Sequence, residues 1–189
     1  MTDFTLHTVD SAPQTAQATL KGAQGSLGFI PNLFATMAEA PSLLNAYAQL
    51  GELLNKTSFS PTEQQIVLMT NNRLNGCDYC MAAHTTISQA TGVPADVIES
   101  LRTNTPIAEA KLEALRTFAR VVNETRGWPT QDNLDAFFAA GYGQQQVLEV
   151  VLGTAFKVLS NYTNHIASTP LDTAFQPNAW SRDEVRQAA

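Results

Sequence analysis

The chain has 189 residues, a formal net charge of −6 and 44% hydrophobic against 15% charged residues, which describes an ordinary globular protein of about one domain. Binding to a phosphate backbone needs clustered positive charge, so no nucleic-acid partner is expected. The N-terminus lacks signal-peptide features and no stretch has the length of a membrane span, so the expectation is a cytoplasmic protein with no membrane partner.

Helix signals follow one another along the chain, and no alternating strand of useful length interrupts them. Pro13 is predicted to open a short first helix that ends near Gly22. Residues 25–31, which hold two glycines, are predicted to form a loop, with Pro31 at the first position of the next helix. Another helix begins at Pro41 and carries an amphipathic stripe of apolar residues.

The strongest helix start is the run of residues 60–63, Ser-Pro-Thr-Glu. The serine is placed as an N-cap, the proline occupies the first helical position, and Glu63 completes a capping box. This helix is predicted to stop at Asn75-Gly76. Cys77 therefore follows a break and lies near the start of the next helix, which continues to about Ala90.

The remaining pattern completes an all-α prediction. Further helices are expected over residues 95–102, 131–140 and 144–167, and apolar residues between 112 and 122 mark one face of a longer helix that ends before Gly127. The chain is predicted to form a single domain over residues 1–189, with an N-terminal segment (1–24), a core (25–170) and an extended C-terminal arm (171–189). An ungapped shift of 81 residues places His84 on His165, which favours an internally repeated helical unit, with chance similarity as the alternative.

The chemistry-bearing motif is Cys77-Asp78-Tyr79-Cys80, followed one helical turn later by His84. On a helix the two sulfurs and the imidazole project from one side. A Cys80 thiolate could attack the terminal oxygen of a peroxide, and Cys77 could then convert the resulting sulfenic acid to a disulfide that an external thiol reduces. The spacing of Cys80 from His84 favours Cys80 as the first attacker. Cys77 is not excluded, because the helix start also favours its thiolate.

Other interpretations of the motif stay open. A structural zinc site needs four ligands, and only His84 and the distant His165 accompany the single cysteine pair, so no metal is expected. Thioredoxin-like chemistry would need a βαβ context, which the helical pattern does not provide. Two ordinary helix cysteines beside a surface histidine remain a structural alternative.

Residues 75–84 resemble the core motif of the alkylhydroperoxidase D-like (AhpD-like), or carboxymuconolactone decarboxylase, superfamily, and in particular its peroxidase-related branch. Residues 28–33, 41–44 and 161–165 are also similar to that branch, so the resemblance extends over most of the chain. It implies an all-helical AhpD-like bundle with a repeated helical unit, assembled as a homotrimer or homohexamer. It further implies thiol-dependent reduction of hydroperoxides with no bound cofactor and with electrons from an external lipoyl-type dithiol.

By position, the resemblance makes Cys80 the peroxidatic cysteine, Cys77 the resolving cysteine and His84 the proton-relay histidine. The relay in this family commonly includes a glutamate twelve residues before the first cysteine, and that position here is Gln65. Glutamine can orient His84 but cannot accept its proton, so Gln65→Glu is expected to raise thiolate reactivity. Glu63, about 200° around the helix from residue 65, is a candidate substitute.

Two further residues are candidates for the site. Tyr79 could donate a hydrogen bond within it or simply pack, and His165 could line the pocket or be an ordinary hydrogen-bonded helix histidine. The leading hypothesis is a dithiol hydroperoxide reductase. The alternative is a redox-sensing or scaffold oligomer with a reversible disulfide and little turnover. By the same resemblance, muconolactone decarboxylation belongs to members without the cysteine pair and is not expected.

Overall fold

The computed structural model describes residues 4–182, and within them every regular element is helical. In chain order the helices are α1 (Gln14–Leu27), α2 (Asn32–Met37), α3 (Pro41–Leu54), α4 (Pro61–Asn75), α5 (Asp78–Ala90), α6 (Ala95–Thr103), α7 (Ala110–Glu124), α8 (Gln131–Ala139) and α9 (Gln144–Ala167), followed by a 3-10 helix (Thr173–Asn178). The all-α prediction is confirmed. Over the described part of the chain no helix is both long and apolar enough to cross a bilayer.

Helix α4 lies at the centre of the molecule and packs against α5, α6, α7 and α9. Every residue from Gln65 to Asn72 is buried, so this helix has no solvent face over two turns. At its contact with α9, a Cβ atom on Gly153 would come within 2.7 Å of Val67 Cγ1. Glycine at this position therefore allows the two central helices to pack closely.

The junction between α4 and α5 sets the position of both cysteines. The predicted capping box is present, since the Ser60 hydroxyl accepts from the Glu63 amide and the Glu63 carboxylate accepts from the Ser60 amide. At the other end Gly76 adopts φ +67°, a left-handed conformation that glycine tolerates best. Cys77 is the N-cap residue of α5, so Cys80 lies in the first turn of that helix.

The first helix differs from its prediction. It continues past Gly22 to Leu27, because its buried residues Leu20 and Ala23 pack against α3 and this contact outweighs the poor helix propensity of glycine. Gly28, at φ +81°, ends the helix. The predicted loop is therefore shorter, and Pro31 is the N-cap of α2 instead of its first helical residue.

Residues 171–182 are not an extended arm, which corrects the prediction for this part of the C-terminus. With Pro170 they form a segment (170–182, the C-terminal segment) that folds across α5 through its 3-10 helix. Phe175 is buried, and the Asn178 amide donates to Thr86 Oγ1 at 3.0 Å. These contacts were not visible from sequence because the segment has no helical periodicity. The predicted arm also includes residues 183–189, which lie outside the described part.

The two segments proposed as a repeat share length but not helix boundaries. The first consists of α4, the break at Gly76 and α5, whereas the second lies in the uninterrupted helix α9. The shift of 81 residues places Gly76 on Lys157, in the middle of α9. The ungapped correspondence is therefore not matched by the structure.

Candidate active site

A cavity of about 440 Å³ opens beside Cys80, between α3, α5, α9 and the C-terminal segment. Its lining is mainly aromatic and aliphatic and includes Phe29, Leu33, Phe34, Tyr47, Phe156 and Phe175. Cys80, His84 and Lys157 bring reactive or ionisable groups to this wall. The arrangement combines an apolar chamber with a small polar patch, which is typical of a site for an apolar molecule that reacts at one point.

Both cysteines are free thiols and are buried, with Cys77 fully enclosed and Cys80 only 2% exposed. The Asn164 side-chain amide donates toward both sulfurs, at 3.2 Å to Cys80 Sγ and 3.7 Å to Cys77 Sγ. Its own carbonyl oxygen is buried and has no hydrogen-bond partner among the described residues. One side chain of α9 therefore contacts the sulfur atoms of both cysteines.

The surroundings shift the pKa values of the two thiols in opposite directions. Burial alone would raise the pKa of Cys80, but a hydrogen bond from Cys77, the positive charge of Lys157, and hydrogen bonds from Ser160 and Asn161 outweigh it and lower that pKa. The hydrogen bond to Cys80 and burial raise the pKa of Cys77. Cys80 is thus the sulfur favoured as thiolate, with Cys77 as a protonated thiol beside it.

The His84 ring is held at both nitrogens. Nδ1 lies 2.8 Å from Gln65 Oε1, and Nε2 lies 2.9 Å from Lys157 Nζ. Since a glutamine oxygen can only accept, Nδ1 carries the hydrogen, and Nε2 accepts from the lysine. Burial, together with the Lys157 charge, lowers the pKa of His84 well below its ordinary value, so the ring is neutral. Both ring nitrogens thus have hydrogen-bond partners other than Cys80.

Lys157 is the residue that the cysteine motif does not indicate. It is completely buried in α9, with its ammonium nitrogen 5.2 Å from the centroid of the Phe156 ring. Lys157, Ser160, Asn161 and Asn164 follow the spacing i, i+3, i+4, i+7, and all four are buried. This stripe of polar residues on one face of α9 is the sequence signal that could have identified them.

A chain of hydrogen-bonded asparagine amides links the helices that form the site. Asn123 donates to Asn75, Asn75 to Asn161, Asn161 to Asn72, and Asn72 to the backbone oxygen of Cys80, with distances between 2.8 and 3.2 Å. Buried amides that are satisfied in this way fix the relative positions of their helices. The network ties α7, α4 and α9 to the first turn of α5.

Two candidate residues have structural partners instead of a place in the relay. Glu63 caps α4, and its Oε1 accepts from the Tyr142 hydroxyl at 2.9 Å. Tyr79 lines the cavity, but its hydroxyl donates to Asp172 Oδ2 at 2.5 Å and accepts from the Leu33 amide. Glu63 is therefore not the substitute that the sequence suggested, and Tyr79 holds the C-terminal segment and α2 against α5.

His165 does not reach the site. It lies on the exposed side of α9, where its ring faces Tyr162 at a centroid distance of 6.5 Å. The neighbouring Asn164 faces the sulfurs instead, because successive residues of a helix differ by about 100°. Across the described residues no group of three or more His, Cys, Asp or Glu side chains is arranged to hold a metal ion.

The sequence model of the Carboxymuconolactone decarboxylase family matches residues 41–124. This range contains Gln65, both cysteines and His84 but ends before α9, and so it excludes Lys157. No curated protein matches the chain significantly.

Solved structures share the fold over nearly the whole chain. The AhpD-core, peroxidase-related protein from Ralstonia eutropha JMP134 superposes with a TM-score of 0.81 at 20% identity, covering 91% of this chain and 93% of that one. The debrominase Bmp8, in complex with 2,3,4-tribromopyrrole, gives 0.78 at 22% identity and 98% coverage of both chains. A peroxidase-related protein from Silicibacter sp. TM1040 gives 0.76 at 19% identity, covering 92% and 95%. The comparisons confirm the predicted resemblance and the AhpD-like fold.

Proposed function

We propose that this chain, an AhpD-like protein of the carboxymuconolactone decarboxylase superfamily, reduces organic hydroperoxides at its Cys77–Cys80 pair. The observation that carries the proposal is the position of Cys80. It faces the cavity, and its surroundings favour the thiolate, while Cys77 stands beside it as a thiol. Thiol-dependent peroxide reduction needs a nucleophilic sulfur and a second thiol that converts the resulting sulfenic acid to a disulfide.

In this mechanism the Cys80 sulfur attacks the terminal oxygen of the hydroperoxide, and the O–O bond breaks to give an alcohol and a Cys80 sulfenic acid. Cys77 then displaces water from the sulfenic acid, and the two sulfurs form a disulfide. An external dithiol reduces the disulfide by exchange. The sum is hydroperoxide plus dithiol giving alcohol, water and a cyclic disulfide.

The shape and polarity of the cavity support particular substrates and donors. Aromatic walls favour an alkyl or aryl hydroperoxide over hydrogen peroxide. The same cavity is the route by which Cys80 is reached, and its apolar lining favours a slim dithiol of the lipoyl type over a charged thiol such as glutathione. No bound cofactor is needed for this cycle.

The test is peroxide consumption coupled to dihydrolipoamide and its reductase, with cumene hydroperoxide as substrate. Cys80→Ser is expected to lose roughly 10³-fold or more of the turnover. Cys77→Ser is expected to give a single turnover that ends at a sulfenic acid on Cys80, which dimedone traps. His165→Gln, outside the cavity, is the control and should turn over like the parent. Equal rates for Cys80→Ser and the parent would remove the proposal.

A second candidate is reductive removal of halogen from a small aromatic, which the structural likeness to a debrominase and the apolar cavity beside a thiolate both favour. Here the two thiols would supply the electrons, giving the dehalogenated ring, halide and the disulfide. Bromide release from 2,3,4-tribromopyrrole under the same coupled conditions distinguishes it. A disulfide that forms without turnover of either substrate would leave the redox-sensing or scaffold role.

A further inference from the structure

The charges around Cys80 do not match a relay in which histidine takes the proton of the thiol. His84 is neutral, and its acceptor nitrogen, Nε2, already accepts a hydrogen bond from Lys157 Nζ at 2.9 Å. Its other nitrogen donates to Gln65, which is uncharged. The ring is therefore oriented by its neighbours, and the group with mobile protons at this wall is the lysine.

We propose that Lys157 is the charge partner of the Cys80 thiolate and the proton donor to the alkoxide that leaves when the peroxide bond breaks, with His84 and Gln65 holding its ammonium group in place. This inference rests on the proposed hydroperoxide reduction. It gives the site a catalytic residue from α9, outside the segment that contains the cysteines.

Lys157 has no carboxylate counter-ion among residues 4–182. Lys157 is fully buried, and a buried ammonium without a partner is strongly unfavourable. The ion pairs seen within residues 4–182 include His7–Glu39 and Arg116–Glu113, and none seen there involves Lys157. A Cys80 thiolate, on the wall of the same cavity, supplies the compensating negative charge. The two charges then form a pair that is neutral as a whole.

Among the residues that the structure describes, no other group competes with Lys157 for either role. The remaining titratable side chains that face this region are Tyr47 of α3, Cys77, Tyr79 and His84 of α5, and Asp172 of the C-terminal segment. Burial raises the pKa of both tyrosines, so they stay neutral. Asp172 already accepts from the Tyr79 hydroxyl and the Asn32 amide. Helices α4 and α9 present only neutral groups apart from Lys157 itself.

The proton then follows a closed cycle. As the Cys80 sulfur bonds to the terminal oxygen, the O–O electron pair goes to the leaving alkoxide, which takes a proton from Lys157 Nζ. Loss of this proton leaves the lysine as a neutral amine. Disulfide formation with Cys77 then releases water. Of the two protons that the external dithiol brings, one returns to Cys77 and the other to Lys157, which restores the thiolate and the ammonium.

This arrangement also gives Gln65 a role. Its neutral oxygen orients His84 without adding charge. A carboxylate at the same position would be a second anion near the buried ammonium and would compete with the thiolate for it. This proposal is therefore opposite to the expectation from sequence: Gln65→Glu is expected to raise the pKa of Cys80.

The experiment is a pH titration of the Cys80 thiolate by its ultraviolet absorbance in the Cys77→Ser background, with no peroxide present. Lys157→Met is expected to raise the pKa of Cys80 by about 1–3. Lys56→Met, which removes an exposed lysine, should leave the titration unchanged and is the matched control. Thermal unfolding by circular dichroism establishes that each variant is folded. A folded Lys157→Met with the parent titration would overturn the proposal.

Gln65→Glu keeps the lysine and gives an independent reading if Lys157→Met does not fold. A rise in the Cys80 pKa supports the charge pair, and a fall overturns it in favour of a carboxylate relay. Because neither titration uses a substrate, failure of the peroxidase assay and failure of this inference are separate results.

Proton donation is tested by single turnovers above the thiol pKa of each variant, so that every protein is fully thiolate. Cumene hydroperoxide leaves as a basic alkoxide that needs a proton, whereas a peroxycarboxylic acid leaves as a carboxylate that does not. Lys157→Met is expected to lose at least about tenfold more rate with cumene hydroperoxide than with perbenzoic acid, within the range typical of general acid catalysis. Equal losses with both substrates would overturn the donor role.

Discussion

At the candidate site, spacing along the sequence predicted part of the arrangement of single residues, and packing between helices determines the rest. Cys80 and His84 lie one turn apart on the cavity side of α5, Cys77 is the N-cap residue of that helix, and Gln65 Oε1 lies 2.8 Å from His84 Nδ1. Lys157 could not be placed in the same way, because its proximity to His84 arises from the packing of α9, 73 residues later in the chain. Sequence patterns describe neighbours along a helix, not contacts across a core.

Glu63 shows the opposite case, a residue whose type suggested the relay but whose contacts are structural. Burial alone would raise its pKa, but hydrogen bonds from Ser60 and Tyr142 and the charge of Lys111 lower it. Glu63→Ala is expected to reduce the free energy of unfolding by about 1–2 kcal/mol, since it removes half of a capping box and the bond from Tyr142. The titration of Cys80 should not change.

The pH dependence of this effect has a definite sign. The pKa of Glu63 is lower in the folded state than its ordinary value of 4.5, so its contribution is complete above that pH and is lost as the pH falls below it. Urea unfolding of parent and variant at several pH values measures the difference. Glu52→Ala, an exposed position on α3, is the control. A shifted Cys80 titration in Glu63→Ala would contradict the structural role.

Helix boundaries were predicted correctly where the local sequence signals are strong. The start of α4 at its capping box, the break at Gly76 and the full extent of α9 are all as expected. Prediction failed where packing decides the outcome, as in the last turn of α1, which contains Gly25 and remains helical against α3. The C-terminal segment also lacks any local signal, because it is held by Tyr79, Thr86 and Arg102 from other helices.

The site depends on where these elements meet. Helix α5 supplies the sulfurs, α4 supplies Gln65, and α9 supplies Lys157 and Asn164, while the C-terminal segment closes one wall of the cavity with Phe175. The sequence predicted the first of these contributions fully and the second in part. The third follows a visible polar stripe, whose significance is clear only once α9 is known to lie against α5.

For the whole molecule, the homotrimer or homohexamer implied by the resemblance stays a prediction, and α9 presents the surface on which we expect it to form. While its polar stripe faces the core, large apolar side chains on its other side are exposed, among them Leu148 (69%), Tyr162 (53%) and Ile166 (72%). Apolar residues at helical spacing on a surface favour packing against another copy.

Replacing Leu148 and Ile166 together by glutamate is expected to convert an oligomer into a monomer of 20.4 kDa, since each buried carboxylate would be unfavourable at the contact. Light scattering measures the mass. Leu53→Glu, at an exposed position on a different helix, α3, is the control and should keep the parent mass. A parent chain that is already monomeric would contradict the assembly itself.

The proposed chemistry depends on Cys80, and not Cys77, being held as a thiolate. The most direct measurement is the rate of iodoacetamide alkylation of each cysteine across pH, resolved by peptide mass spectrometry on the unmodified chain. Cys80 is predicted to react first, with a midpoint well below the ordinary thiol pKa of about 8.5, and Cys77 only at higher pH. Alkylation of Cys77 first, or both sulfurs titrating in the ordinary range, would contradict a thiolate at Cys80.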